Sequence, residues 1–175
     1  MMFVRYKILS TGLCFGAAFL WVQRGGGGQF YFRERLDEVR QVQNRYQSGQ
    51  RDPSEDVSQI YKISNDAEFS NQLKHIFSSL GWTGLGLLEI VFQRQSWGDG
   101  GHAFGFRYEP RLSEFEIYSD NIEGDGHKAY KIEDNFWRCF QLLYQRMIES
   151  QGACGEKKLQ ITRYELSPSL EPAIV

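Results

Sequence analysis

The chain has 175 residues, of which 41% are hydrophobic, 24% charged and 15% aromatic, and its formal net charge is −2. This length suits one small domain, and the composition is that of a folded rather than a disordered protein. Non-specific nucleic-acid binding needs a concentrated basic surface, so a weakly acidic chain argues against a nucleic-acid partner.

The N-terminal region contains the longest apolar run. Residues 8–22 (ILSTGLCFGAAFLWV) are fifteen residues without a charge. A helix that starts at Phe3 has twenty residues and spans about 30 Å, the thickness of a hydrocarbon core, if Arg5 and Lys7 reach the headgroups. The sequence therefore predicts a single-pass transmembrane helix, a signal anchor over residues 1–23. The basic residues at its start predict a cytoplasmic N-terminus and an exported domain.

Two other interpretations of this run stay open. A cleaved signal peptide would place the small residues Gly16 and Ala18 before its cleavage site. A buried core helix has about the same length as the uncharged run. The apolar residues continue beyond Ala18 to Val22, which favours the anchor over the signal peptide.

Residues 24–56 predict a glycine joint and a juxtamembrane helix. Gly25–Gly28 match no phosphate-binding motif and are typical of a flexible connection. The following helix, over residues 30–47, carries a narrow stripe that is typical of a coiled-coil seam or of a helix resting on the domain. We expect this stripe to bind a protein partner or a second copy of the chain, although the polar Gln43 interrupts it. Its proposed interaction residues are Phe32, Leu36, Val39 and Tyr46.

Residues 57–167 predict an α+β globular domain, and residues 168–175 a tail. Periodicity predicts one helix that follows Asn65 and ends at Gly81, and a second helix over residues 131–151. Asn65 and Glu68 have the spacing of a capping box at the start of the first helix. This order predicts a ferredoxin-like βαββαβ antiparallel sheet with one extra strand and with helices on one face. The predicted strands are 57–63, 85–93, 102–108, 114–118 and 158–166.

Two similar segments, Gly98–His102 and Gly124–His127, are the sharpest local motif. Their side chains, Asp99, His102, Asp125 and His127, could ligate a metal or form an acid–base pair. Asp-Gly is also a common turn dipeptide, because glycine readily adopts positive φ. The turn interpretation is the more economical one, and we predict no metal and no cofactor.

The sequence shows no complete catalytic set. Cys14 lies in the apolar run, no CxxC occurs, and the chain can barely close a bridge between Cys139 and Cys154, so we predict no disulfide. No serine has the GxSxG context of a hydrolase.

These features predict a membrane-anchored interaction or scaffold protein of the cell envelope, without catalysis. The predicted architecture is similar to that of bitopic envelope-assembly proteins, a likeness of arrangement alone. The alternatives are a membrane-tethered immunity or inhibitor protein that acts against a toxin enzyme, and a metal-dependent hydrolase.

Overall fold

A computed structural model describes residues 13–47, 55–95 and 98–164. The side chains of Tyr46 and Asp99 lie outside this description. Short 3-10 turns lie at Phe32–Arg35, Asp66–Glu68 and Pro110–Leu112. The helices and strands are α1 Cys14–Gln23, α2 Leu36–Gln47, β1 Glu55–Lys62, α3 Phe69–Leu80, β2 Gly84–Arg94, β3 Asp99–Glu109, β4 Glu114–Tyr118, β5 His127–Tyr130, α4 Glu133–Gln151 and β6 Ala153–Tyr164.

The six strands form one sheet in the order β1-β6-β2-β3-β4-β5, and every neighbouring pair is antiparallel. Strands β2 to β5 form a meander, and β6 returns between β1 and β2. The α+β class is confirmed, but the ferredoxin-like arrangement is wrong, because β1 lies at an edge and β5 extends the other side. Strand β5 (HKAY) was not predicted, since its four residues have no alternating apolar pattern.

Helices cover both faces of the sheet, which corrects the predicted single covered face. In β2, Leu88, Ile90 and Phe92 belong to the apolar cluster formed with α3 and α4. The alternate residues Leu85 and Leu87 belong to a second cluster, formed with α1 and α2. A strand that is apolar on both faces needs cover on both faces, and here it has that cover.

The sequence periodicity predicts most of the buried faces of α3 and α4, but Leu80, which it places in the core, is 39% exposed. Both helices end at a glycine in the left-handed conformation, Gly81 and Gly152. The Tyr144 hydroxyl is deeply placed and donates to Asp66 Oδ1 at 2.6 Å, which satisfies a polar group that burial would otherwise leave unpaired. Residues of these two helices in the core are Phe69, Leu73, Ile76, Phe77, Phe136, Trp137, Phe140, Tyr144 and Met147.

The predicted transmembrane helix is wrong. In the ranges that the structure describes, no helix is long and apolar enough to cross a membrane. Helix α1 has ten residues, and every residue from Cys14 to Val22 is buried. A helix that is apolar all round requires an apolar environment all round, and the sheet on one side and α2 on the other provide it. The segment is therefore the core helix that the sequence left as an alternative. Its partners are Val39, Val42, Leu85, Leu87, Ala103, Tyr118 and Tyr164.

Trp21 is the largest side chain of α1 and is fully buried. Its ring stacks on Tyr118 with a centroid distance of 5.6 Å, and its Nε1 donates to Gly27 O at 2.7 Å. Gly105 leaves room for it, because a Cβ at that position would lie 2.5 Å from Trp21 Cε3. Trp21 therefore fixes α1 against the sheet by both shape and hydrogen bonding.

We expect Trp21→Ala to lower the free energy of unfolding by about 3–5 kcal/mol, because it leaves a large cavity between α1 and the sheet. Urea unfolding followed by circular dichroism measures this loss. Gln23→Ala, at the exposed end of the same helix, is the control and should change it little. A loss below about 1 kcal/mol for Trp21→Ala would show that α1 is not part of the core.

Candidate functional site

The candidate site lies beside β3, just beyond the point at which its pairing with β4 ends. The last pair between β3 and β4 joins Gly105 to Tyr118, so no strand among the described residues pairs with the first half of β3 on that side. After Tyr118 the chain turns through Ser119 and Asp120, both buried. Helix α1 packs on the same part of the sheet, where burial raises the pKa of the Cys14 thiol and the backbone N–H groups of Ala103 and Phe15 only partly oppose this effect. Helix α1 packs against Ala103 and the Ser119–Asp120 turn against His102, and both of these β3 residues are buried.

His102 is the central side chain of this cluster, and only 1% of it is exposed. Its Nε2 lies 2.9 Å from Ser119 Oγ and 3.8 Å from Asp120 Oδ1. A serine triad places the serine and the carboxylate on opposite ring nitrogens. Here both contact the same nitrogen, so Ser119 does not occupy the nucleophile position. Its hydroxyl instead accepts the Asn121 N–H at 3.3 Å and supports the turn.

Asp120 is an unusually costly residue for the fold. None of its side chain is exposed, and neither carboxylate oxygen finds a hydrogen-bond partner among the described residues. Burial raises the pKa of Asp120 to about 7, which its own backbone N–H and the charge of Arg33 only partly oppose. An unpaired buried carboxylate destabilises a protein. Such a group is a candidate for function, because the fold gains nothing from it.

Burial also controls the other two ionisable groups. It raises the pKa of the Cys14 thiol to about 12, and the negative charges of Asp120 and Glu89 add to this effect. It lowers the pKa of His102 to about 4. Near neutral pH, Cys14 is therefore a thiol and His102 an uncharged imidazole. The thiol reacts as a nucleophile only when a base removes its proton.

A cavity of about 1050 Å³ lies beside this cluster. Asp120 and Ser119 form part of its wall, and Phe104, Leu143 and Met147 supply its apolar surface. Charged side chains of both signs, Arg33, Glu34, Glu123, Arg146 and Glu149, line it as well. This volume is at the upper end of the range for small-molecule sites, which suits an extended ligand.

The four glycines after α1 are bonded to the sheet rather than separate from it. Gly27 N donates to Glu116 Oε1 at 3.0 Å, and Arg107 donates to the Gly25 carbonyl. Glu116 also binds Arg107 at 2.5 Å and His127 at 2.6 Å. These bonds fix the C-terminal end of α1, and thereby set where Cys14 lies at the other end.

The Asp-Gly segments do not converge. The His102 ring packs against Phe104 on the α4 side of the sheet, with centroids 4.6 Å apart. The His127 ring lies on the opposite side, 6.1 Å from Trp21. Asp125 accepts the backbone N–H groups of Gln29 and His127, as a turn aspartate does. Among the residues described, no three His, Cys, Asp or Glu side chains form a group that could hold a metal ion.

Part of the predicted interaction stripe packs against the rest of the same chain. Val39 is fully buried against α1, whereas Phe32 and Leu36 are half-buried. Phe32 also lines the cavity. The side chain of Tyr46 lies outside the description.

Sequence reasoning did not bring Cys14, His102 and Asp120 together. The sequence holds three cysteines and three histidines, and no spacing among them connects Cys14 with His102 and Asp120. Cys14 also lay in the run interpreted as a membrane anchor. Comparison of the chain with protein-family models, with curated proteins and with solved structures found no match.

We expect Asp120→Asn to stabilise the protein at pH 8 but not at pH 4. The carboxyl pKa is about 7 in the folded chain and 3.8 ordinarily, so the folded state holds the proton more tightly. The resulting stability is present in acid and is lost as the pH rises from about 4 to 7. The asparagine variant avoids this loss, so its free energy of unfolding at pH 8 should exceed that of the parent chain by at most about 4 kcal/mol.

Urea unfolding at pH 4, 6 and 8 measures the difference between the two chains. His102 is present in both, so its own titration largely cancels. Asp134→Asn, an exposed carboxylate on α4, is the matched control and should show no such trend. If Asp120→Asn were less stable at pH 8, Asp120 would be a stabilising ion-pair partner and not a strained group.

Proposed function

We propose that this chain is a cysteine-dependent hydrolase or acyltransferase, with Cys14 as nucleophile, His102 as general base and Asp120 as the residue that orients the imidazole. The observation that carries the proposal is that Asp120, a buried carboxylate without a hydrogen-bond partner among the described residues, lies 3.8 Å from His102 Nε2 and that its charge adds to burial in raising the pKa of the Cys14 thiol. Cysteine, histidine and a third orienting group form the recurring set for acyl transfer.

The arrangement supports a specific division of roles. His102 meets Asp120 through Nε2, which leaves Nδ1 as the ring nitrogen that would act as the base. The ring lies on the α4 side of the sheet and Cys14 on the α1 side, so the proposal requires the thiol to approach the ring around the edge of β3 when its sulfur attacks a carbonyl carbon. The resulting imidazolium is stabilised by the Asp120 carboxylate and returns its proton to the leaving amine, alcohol or thiol. A thioester remains on Cys14, and water or a second nucleophile then removes the acyl group.

The surroundings of Cys14 oppose the thiolate in the resting protein. Burial and the negative charges of Asp120 and Glu89 raise the pKa of the thiol, and the backbone N–H groups of Ala103 and Phe15 only partly oppose this. Because the resting thiol and imidazole are both neutral, we propose that proton transfer accompanies attack on a bound substrate.

The neighbouring cavity supports a polypeptide or peptide-like substrate. Its volume of about 1050 Å³ and its mixture of apolar and charged walls suit a chain segment with several side chains. An amide, isopeptide or thioester bond at the end of such a segment would be the reacting group.

A non-catalytic interaction or inhibitor role is the second candidate. The observation that favours it is the burial of Cys14, which is only 6% exposed. A covered thiol that no substrate reaches would leave the cavity as a protein-binding surface. The two candidates differ in whether Cys14 can be acylated.

We expect p-nitrophenyl acetate, a small acyl donor, to transfer its acetyl group to Cys14 with release of p-nitrophenol. Cys14→Ala should abolish the adduct, and His102→Gln and Asp120→Asn should each slow its formation by about 10²–10³-fold, the usual contribution of a general base and its support. Mass spectrometry of tryptic peptides locates the adduct.

Cys139→Ala and Cys154→Ala are the matched controls, because both cysteines are free and more exposed than Cys14. They should acetylate at the wild-type rate on Cys14. Acetylation confined to Cys139 and Cys154 would reject the hydrolase and leave the binding role.

A further inference from the structure

The cavity beside Ser119 and Asp120 opens onto the main apolar cluster of the protein. Its lining residues Phe104, Ile122 and Met147 are buried members of that cluster, which packs under α3 and α4. Tyr31 also lines the cavity and is 47% exposed. A side chain that enters the cavity therefore meets core residues and an accessible aromatic ring, a combination that anchors bound polypeptides.

Three separate segments surround the cavity, and each of them carries a glutamate. Glu34 lies in the 3-10 turn before α2, Glu123 in the connection between β4 and β5, and Glu149 in the last turn of α4. All three side chains are exposed, and none forms an ion pair or a side-chain hydrogen bond with another described residue. Their charges are therefore free to pair with a ligand.

The positive charges of the wall are fewer than the negative ones. Arg33 and Arg146 line the cavity together with the three glutamates and Asp120, so the wall holds four carboxyl groups and two guanidinium groups. The formal net charge of the whole chain is −2, and subtracting the −2 of the wall leaves the other residues at zero. The net negative charge of the protein is thus located at this cavity.

The aromatic residues of the wall are also suited to a cation. Arg33 Cζ lies 5.7 Å from the centroid of the Phe32 ring, within the distance at which a guanidinium is attracted to an aromatic face. Tyr31 offers a second ring beside it. A basic side chain of a ligand could use the same kind of contact.

We propose that the cavity binds a segment of a partner polypeptide in which apolar side chains are flanked by lysine or arginine. This inference rests on the part of the proposed function that assigns the cavity to a polypeptide, and it does not depend on chemistry at Cys14. The apolar side chains pack on Phe104 and Met147, and the flanking cations pair with the glutamates of the three segments. Complementary charge selects the partner more than it adds affinity, so the binding is weak and falls as salt is added.

The test uses the full chain, isotope-labelled for NMR, and three short peptides with acetylated and amidated ends. Lys-Leu-Phe-Lys is the expected type of ligand, Glu-Leu-Phe-Glu reverses its charge, and Lys-Ser-Ser-Lys lacks its apolar residues. Amide chemical shifts during titration locate the contact and measure the Kd. Lys-Leu-Phe-Lys should bind at least about tenfold more tightly than either other peptide, with the shifts concentrated at residues 31–34, 119–124 and 143–150.

Substitutions in the wall test the contribution of charge. Glu34→Gln, Glu123→Gln and Glu149→Gln should each raise the Kd of Lys-Leu-Phe-Lys about two- to fivefold, the effect of losing one exposed ion pair. Arg146→Gln removes a repelling charge and should lower the Kd by a similar factor. Glu156→Gln, an exposed glutamate of β6 that does not line the cavity, is the control and should leave the Kd unchanged.

A second pair of variants tests the aromatic contact. Tyr31→Ser should raise the Kd at least about fivefold, as the loss of an aromatic anchor does. Leu142→Ser is the matched control, because Leu142 is equally exposed but lies outside the cavity wall. Both side chains are half exposed, so neither change should prevent folding.

The outcomes distinguish this inference from the function on which it rests. Equal binding of the basic and acidic peptides, binding of none of the three, or shifts at another surface would overturn the inference. Weaker binding by Arg146→Gln would overturn it as well, because an acidic group of the ligand would then be the one recognised. A chain that binds Lys-Leu-Phe-Lys as expected without acetylation of Cys14 keeps this site and loses the hydrolase function, whereas acetylation without peptide preference does the reverse.

Discussion

The burial of α1 between the sheet and α2 is the constraint on which the rest of the structure depends. A helix that is apolar on every side can be satisfied only by partners on every side. The sheet provides Leu85, Leu87, Ala103, Tyr118 and Tyr164, and α2 provides Val39 and Val42. Because α1 lies on this face, the sheet is covered on both sides, and the first residue of α1 comes to the edge of β3. The candidate chemistry is thus a consequence of core packing.

Both ends of α1 are held by polar groups, which complements the non-directional apolar contacts along its length. At the C-terminal end, Trp21 Nε1 and the glycine backbone bond to each other and to Glu116. At the N-terminal end, Gln43 bonds to Gly16. Apolar burial tolerates small shifts along a helix, whereas hydrogen bonds of about 3 Å do not. The polar bonds at its two ends therefore fix the position of α1 along its own axis.

The sequence predicted the elements whose signals are local. Most of the buried faces of α3 and α4, their glycine stops and the full extent of β4 follow from spacing and from the conformational freedom of glycine. It failed where the same local pattern has two physical meanings. An uncharged run of fifteen residues is equally apolar in lipid and in a protein core, and only the covering elements decide between them. The segments Gly98–His102 and Gly124–His127 looked like one motif because Asp-Gly turns recur in the chain. In the folded protein their two histidine rings lie on opposite sides of the sheet.

The site itself could not be read from spacing, because its members are joined only by topology. Cys14 lies in α1, His102 in β3 and Asp120 in the turn after β4, and the end of β4 at Tyr118 has no signature near Cys14 or His102. The feature that marks the site in the folded chain is an unfavourable burial. The Asp120 carboxylate has no hydrogen-bond partner among the described residues, and it, the His102 imidazole and the Cys14 thiol are all buried. Burial disfavours every charged form of the three, so near neutral pH the thiol and the imidazole are uncharged and Asp120 titrates. In the proposed reaction the Asp120 carboxylate, 3.8 Å from His102 Nε2, would stabilise an imidazolium with little competition from solvent. The strain of the unpartnered carboxylate would then be relieved as the imidazolium forms, which is the condition for an interaction that favours the transition state over the ground state.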